Sequence, residues 1–356
     1  MSGLFHGGDL HGASKIYGRP AHDWLDLSTG INISSYPAPT IPTSVWQQLP
    51  YLQPELIAAA QQYYGPHPCL ASSGSQPIIE LLPQILRKLG NQNTAWLADV
   101  GYQEHRHGWA QLGSVKTYNG LCLSSATEEI DAAFAAGTIG HLVVINPNNP
   151  TGQTFAPTQL QIWTKKLHQV NGYLVVDEAF IDTTPKQSML AQDLPNNVVV
   201  LRSVGKFFGL AGIRLGFTFA SEQVLIELQQ HIGPWSVNGP AQHVATEAFK
   251  DTDWHQIMRK KLTQEAPLQM DIWQSTLQAL GARVIAQHEL FRSFSMPKAL
   301  AHTLLESAAH HGILLRLVEI NPSASLLRFG NIDLTQDSAL QRCNTWLDSV
   351  RLAHTQ

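Results

Sequence analysis

The chain has 356 residues, 44% of them hydrophobic and 14% charged, with a formal net charge of −4. That length exceeds a usual single domain, so a large domain with a smaller companion is expected. The charge leaves no broad basic field for nucleic acid, and Cys69, Cys122 and Cys343 are too few and too scattered for a disulfide framework or a thiolate metal cluster.

Residues 1–40 are rich in Gly, Ser and Pro and read as an arm with loops. They hold two short motifs, HGG at His6–Gly8 and LDLSTGIN at Leu25–Asn32. The histidines, including His6, His11, His22, His105, His107, His310 and His311, form no HExxH-like pattern, so no metal is expected. No run approaches the roughly 18–20 apolar residues that span a bilayer, so a soluble, cytoplasmic protein without a membrane partner is expected.

From Glu55, LIAAAQQYYG predicts a helix that stops at Gly65–Pro66. A second helix follows, with Pro77 in its first turn and Ile78, Ile79, Leu82, Ile85, Leu86 and Leu89 at helical spacing. Ser75 and Gln76 stand at its start, where free amides and the helix dipole favour a phosphate, although plain N-capping explains Ser75 equally well.

Three short apolar runs come next: Leu142–Ile145 before NPNNPTG, Tyr173–Val176 before DEAF, and Val198–Leu201 before RSVGK. Each is rich in β-branched residues and then abruptly polar, which predicts buried parallel strands with a ligand site beyond their carboxyl ends. After Pro234 a helical stretch is expected from about Pro240 to Leu280, interrupted near Pro267. Ala282–Ala286, Gly312–Val318 and Ser325–Phe329 then alternate with helices, the last near Ser338–Leu352. The expected division is 1–40 as N-terminal arm and substrate loops, 41–238 as large domain, and 239–356 as small C-terminal domain.

The chemistry concentrates in RSVGKFFGLAGIRLGF, Arg202–Phe217. Lys206 has a serine three residues before it and an arginine eight after, an arrangement that suits covalently held pyridoxal 5'-phosphate. The amine can condense with the cofactor aldehyde, while the Ser203 hydroxyl and the fork of Arg214 hold the phosphate. Asp177 can pair with the pyridine nitrogen; a helix cap or structural ion pair is the ordinary alternative for a lone aspartate, and a lysine 29 positions later weighs against it. Asn149 can donate its amide to the phenolic oxygen. Lys206 and Asp177 are the catalytic candidates.

In order and separation, NPNNPTG, DEAF and SVGKFFGLAGIRLG resemble the motifs of the aspartate aminotransferase superfamily of fold-type I pyridoxal phosphate enzymes, over nearly the whole chain. HGGDLHGASKIYG followed by WLDLSTGINISSYP resembles the opening of the threonine-phosphate decarboxylases of cobalamin biosynthesis. Histidinol-phosphate aminotransferases share the cofactor motifs and lack this opening. The resemblance implies an α/β, fold-type I architecture: a large domain with a mostly parallel central sheet, a smaller C-terminal α/β domain, and a homodimer with shared active sites.

It also implies roles residue by residue. Lys206 carries the cofactor, Asp177 meets the pyridine nitrogen, and Asn149, Ser203, Arg214, Ser75 and Gln76 complete its cradle. Tyr51 reaches the cofactor phosphate of the neighbouring subunit, and His105, or Tyr102 beside it, stacks on the ring. Arg328 clamps the substrate α-carboxylate. Arg316 meets the substrate phosphate together with His6, Gly7, Gly8 and the loop of Ser28, Thr29, Gly30 and Asn32, while Asn149 also borders the substrate. Three positions depart from common family patterns: Gly205 replaces a hydroxyl residue, Phe180 replaces a tyrosine donor, and Gly30 replaces an asparagine of some relatives. The implied reaction is decarboxylation of a small phosphorylated amino acid, L-threonine O-3-phosphate, to (R)-1-amino-2-propanol O-2-phosphate. A histidinol-phosphate-type aminotransferase is the alternative enzyme; a catalytically idle cofactor-binding regulator is a further alternative, for which no basic helix-turn-helix segment is found.

Overall fold

A computed structural model describes residues 6–355 of the chain. The three β-branched runs form neighbouring parallel strands, His141–Ile145, Leu174–Asp177 and Val198–Ser203, in the middle of a seven-stranded sheet. Ala95–Ala98 and Val115–Tyr118 extend the parallel part beyond His141–Ile145. On the other side Gly216–Phe219 runs antiparallel between Val198–Ser203 and Cys69–Ser72. The central strands are apolar at nearly every position because both faces of the sheet are covered.

The helix Gln76–Leu89 shows how the covering works. Its buried Ile78, Ile79, Leu82, Ile85 and Leu86 recur at helical spacing and join Val143, Val175, Val199 and Leu201 of the strands in one core. Pro77 sits in the first turn, where its missing N–H costs nothing. The preceding helix spans Pro54–Tyr64, ending at Gly65 as the Gly-Pro pair predicts.

The chain resolves into two compact units, one comprising Ser35–Ile257 and the other joining the segment that ends at Ser34 to Met258 and the residues beyond it. In the second unit an antiparallel sheet has the order Arg316–Glu319, Ala324–Gly330, Phe291–Pro297, Arg283–His288. Beside it Leu25–Asp26 pairs in parallel with Ile313–Leu314. Its core is aromatic: Trp273, Trp346, Phe294 and Phe329 are fully buried together, with Trp273 and Phe329 rings 4.7 Å apart.

Two expectations about local structure need correction. The N-terminal arm contains a helix, Leu10–Tyr17, started by Asp9, whose Oδ1 accepts the Gly12 N–H at 2.8 Å, and ended by Gly18 at φ +66°. Only eight residues long, it is too brief for its apolar spacing to register, and it is held by packing of Ala13 with Trp24 and Ala309. The long helical stretch breaks at Asp251 rather than near Pro267. Thr252–Ala279 runs through Pro267, and the Asp251 side chain caps it by accepting the Trp254 N–H at 3.0 Å. A capping carboxylate ends and restarts the backbone ladder, whereas a proline removes one bond from a helix secured by its neighbours.

Candidate active site

Because the three central strands are parallel and in register, their carboxyl ends emerge side by side, with Ile145 opposite Asp177 and Asp177 opposite Leu201. Residues at and after these ends line one pocket in the Ser35–Ile257 unit: Asn149, Asp177, Phe180, Ser203 and Lys206, with Arg214, Gly74, Ser75, Gln76 and Tyr102. Of the residues proposed for the cofactor, His105 and Tyr51 do not line it.

Asp177 is 4% exposed. Its Oδ2 lies 2.9 Å from His105 Nε2, and its Oδ1 accepts the Ala179 N–H at 3.1 Å. His105, expected to stack on the ring, instead stands behind the carboxylate as its buried partner. Tyr102, three residues earlier, is the aromatic that lines the pocket, and its hydroxyl donates to Gln76 Oε1 at 3.1 Å. Nothing in the sequence signals the His105–Asp177 contact, since the two are 72 positions apart.

The turn NPNNPTG contains three asparagines with different work. Asn146 exchanges two hydrogen bonds with Phe155, and Asn148 donates to the Val100 carbonyl at 2.8 Å, so both hold the turn. Asn149 is the one that lines the pocket.

At the Arg214 side of the pocket, Ser75 precedes the helix Gln76–Leu89 and makes no side-chain cap. Gly74, at φ +80°, lets Arg214 approach: a Cβ there would stand 2.6 Å from Arg214 Nη2. Gly205 is also a matter of space, because a Cβ would come within 2.9 Å of the Ala211 Cα. The hydroxyl residue of common relatives therefore has no room here without a backbone shift. Lys206 Nζ lies 5.5 Å from the centroid of the Phe180 ring, an apolar wall where a tyrosine would offer a donor.

Below the pocket a buried ion network ties the strand ends together. Arg202, next to Ser203, pairs with Glu178, next to Asp177, at 3.0 Å and with Asp182; all three side chains are at most 2% exposed. Sequence reasoning missed this network, whose one visible signal is a run of charges flanking the motif residues.

This donor set fits pyridoxal phosphate. It offers a carboxylate for the ring nitrogen, an amide for the phenolic oxygen and an amine for the aldehyde. Hydroxyls, a guanidinium and a helix N-terminus remain for the phosphate, with Gly74 keeping that corner open. Among the described residues no group of His, Cys, Asp and Glu is placed to hold a metal ion.

The other unit gathers the residues proposed for substrate apart from Asn149. Arg316 and Arg328 lie directly opposite on neighbouring antiparallel strands. Arg328 is buried, donates to the Ser28 carbonyl, and has its guanidinium carbon 5.5 Å from the Phe291 ring centroid. Burial lowers its pKa and Arg316 adds to the effect, while Asp26 opposes it. The two N-terminal motifs meet here. Gly8 N–H donates to Ser28 Oγ at 2.7 Å, Ser28 Oγ donates to Asp26 Oδ1 at 2.6 Å, and a Cβ at Gly7 would fall 2.3 Å from the Ser28 carbonyl oxygen. Gly30 and Asn32 are buried, with Asn32 Oδ1 accepting the Ser34 N–H at 3.0 Å; Thr29 is half-buried and His6 exposed. Asp26 was not anticipated, although it stands inside LDLSTGIN.

Tyr51 is 64% exposed, its ring edge-on to Trp235 at 5.9 Å.

A model of the family described as aminotransferase class I and II matches residues 45–328. A protein of Pseudomonas aeruginosa named threonine-phosphate decarboxylase is 42% identical over 248 residues, 70% of this chain and 71% of that protein. One of the same name from a Sinorhizobium species is 36% identical, over 67% and 69% of the two chains. Among solved structures, histidinol-phosphate aminotransferase from Sinorhizobium meliloti, in complex with pyridoxal-5'-phosphate, superposes with a TM-score of 0.77 over 98% of this chain and 96% of that one, at 19% identity.

Proposed function

We propose that this chain, which belongs to the aminotransferase class I and II family, is a pyridoxal phosphate-dependent threonine-phosphate decarboxylase. It converts L-threonine O-3-phosphate to (R)-1-amino-2-propanol O-2-phosphate for cobalamin biosynthesis. The observation that carries the reading is the union of the HGG and LDLSTGIN motifs around Ser28, beside the Arg316–Arg328 pair. Relatives named threonine-phosphate decarboxylase at 42% and 36% identity support it.

When bound, pyridoxal phosphate supplies a sink for the electron pair left on the substrate Cα as CO₂ departs. The chain's own residues do the rest. Lys206 would hold the cofactor through its aldehyde, and its amine would carry the proton needed at Cα. Asp177 would meet the ring nitrogen, and the buried imidazole of His105 holds that carboxylate in orientation. Asn149 donates to the phenolic oxygen. Ser75, Gln76, Ser203 and Arg214 bind the cofactor phosphate.

Arg328 offers two parallel donors to the substrate α-carboxylate, and Arg316 takes the substrate phosphate with His6, Gly7, Gly8, Thr29 and Gly30. Holding the substrate at its carboxylate and at its phosphate would fix which Cα bond is presented for cleavage. Reaction choice is then a matter of positioning.

The enzyme acts as a homodimer in the cytoplasm. Trp46, Leu49, Tyr51, Leu52 and Trp235 are large apolar residues between 42% and 64% exposed, and a second copy covering them would bring Tyr51 to its neighbour's cofactor phosphate. Among the described residues no helix is long and apolar enough to cross a membrane.

The test is incubation of purified protein with O-phospho-L-threonine and no keto acid. Release of CO₂ with formation of the phosphorylated amino alcohol is expected. Strict dependence on 2-oxoglutarate would replace the decarboxylase with an aminotransferase.

A further inference from the structure

Lys206 sits in a tight turn soon after the strand Val198–Ser203, and Gly209, at φ +68°, closes the turn by donating its N–H to the Lys206 carbonyl at 3.2 Å. The two residues that follow the lysine, Phe207 and Phe208, are fully buried. In a close-packed interior the lysine backbone cannot shift without moving both rings, so whatever holds them also sets the point from which Nζ reaches into the pocket.

Three residues from outside the turn hold it. Trp254 stacks on Phe208, with ring centroids 5.5 Å apart and planes 10° from parallel, and meets Phe207 edge-on at 5.4 Å. Tyr36 donates its backbone N–H to the Phe208 carbonyl at 2.8 Å and sets its ring edge-on to Trp254 at 5.2 Å. Ser35 Oγ donates to the Gly209 carbonyl at 3.1 Å. Asp251 ties two of the three together: its carboxylate accepts the Trp254 N–H at 3.0 Å, and after burial its charge and its hydrogen bond to the phenol raise the Tyr36 pKa.

These residues come from particular points of the chain. The backbone passes between the two compact units twice, from Ser34 to Ser35 and from Ile257 to Met258. Ser35, Tyr36 and Trp254 stand just inside those crossings, so both connections of the cofactor unit are anchored on the turn that carries Lys206. The anchor is itself held firmly. His255, next to Trp254, has its ring 4.6 Å from that of Tyr63, whose hydroxyl donates at 3.0 Å to Asp182 of the ion network beneath Ser203.

We propose that Tyr36 and Trp254 are positioning residues for Lys206: their ring pair, acting through Phe207 and Phe208, sets the place from which the amine meets the cofactor aldehyde. The inference rests on the cofactor role given to Lys206 above, and it holds for decarboxylation and transamination alike.

The measurement is a pH titration of the absorbance of lysine-bound cofactor in the holoenzyme, because the proton on that nitrogen responds to where the lysine is held. The charged groups lining the pocket, Asp177 and Arg214, stay in place in every variant. Trp254→Leu should displace the midpoint by at least about half a pH unit, the scale of losing an aromatic pair, and lower kcat with O-phospho-L-threonine about 10–100-fold with KM little changed. Trp254→Phe, which keeps a ring on Phe208, should recover most of both effects. Leu277→Ala, which opens the buried core of the other unit, should lower the thermal midpoint and leave the titration unchanged. A Trp254→Leu protein titrating like the parent would overturn the proposal, as would an equal displacement in Leu277→Ala. If Trp254→Leu does not fold, Tyr36→Phe decides: losing the tie to Asp251 should move the midpoint by at least about 0.3 of a unit, and an unmoved midpoint overturns the role. Absorbance that persists in Lys206→Ala would instead remove that lysine from the cofactor, so the two readings fail separately.

Discussion

Replacing Arg202 with methionine tests whether the buried ion network holds the active-site strand ends. Arg202 Nη1 donates to Glu178 Oε2 at 3.0 Å and to Ser188 Oγ at 3.1 Å, Nη2 pairs with Asp182, and the guanidinium lies 4.4 Å from the centroid of the Tyr64 ring. Methionine fills much of the volume and leaves two buried carboxylates facing each other's loss. Removing one partner of such a network costs about 3–5 kcal/mol, because the remaining charges stay desolvated without a counter-ion. At roughly 2–4 °C per kcal/mol for a unit of this size, the thermal midpoint should fall by about 6–20 °C in circular dichroism at neutral pH.

The pH dependence has a definite sign. Burial already pushes the Glu178 pKa up, and Arg202 is the largest influence pulling it back. Without Arg202 the folded-state pKa rises further above the unfolded value, so the folded state binds the proton more tightly and the deficit shrinks as pH falls from 8 toward 6. A second variant, Arg202→Met with Glu178→Gln and Asp182→Asn, removes all three charges, keeps acceptors for Met189 N–H and the Tyr63 hydroxyl, and should recover at least half of the loss. An Arg202→Met protein melting within about 2 °C of the parent, or a deficit that deepens on acidification, would refute the reasoning.

Three further outcomes follow from the site. Lys206→Ala should abolish turnover and the absorbance of lysine-bound cofactor, and persisting turnover would overturn the cofactor assignment. His105→Phe should lower kcat by about 10–100-fold, as expected for losing a hydrogen bond to a charged group worth roughly 1.5–3 kcal/mol, with KM for substrate little changed and weaker cofactor retention. His105→Asn should recover part of both, and equal loss in the two variants would mean the ring is needed only as filler. Arg316→Ala should raise KM for O-phospho-L-threonine at least about a hundredfold while changing binding of unphosphorylated threonine little, and equal effects on both would end its role at the phosphate.

Much of the fold was legible because its signals are local. The runs LVVI, YLVV and VVVL are continuous and β-branched since parallel strands are covered on both faces, and the helix after Pro77 shows its buried face at every third or fourth residue. Asn149, Asp177, Ser203 and Lys206 could be chosen because each ends such a strand or follows it within a few residues, and parallel strands place those points side by side; Arg214 was chosen from its spacing to Lys206. The eight-residue helix Leu10–Tyr17 was not read, although Asp9 and Gly18 mark its ends, because so short a helix shows little apolar spacing and is held by packing against Trp24 and Ala309.

By itself, then, the sequence determined the strand ends, the cofactor chemistry and the family, all of which depend on residue type and spacing along the chain. The tertiary structure alone decided what meets across it. It separated Tyr102, at the pocket, from His105, behind Asp177. It placed the Arg202 network beneath the strand ends, and it joined Gly8 to Ser28 and set Arg316 opposite Arg328. Those contacts span 20 to 72 positions or depend on strand register, and a hydrogen bond of 3 Å is set by where two segments pack, a quantity no local pattern of residues encodes.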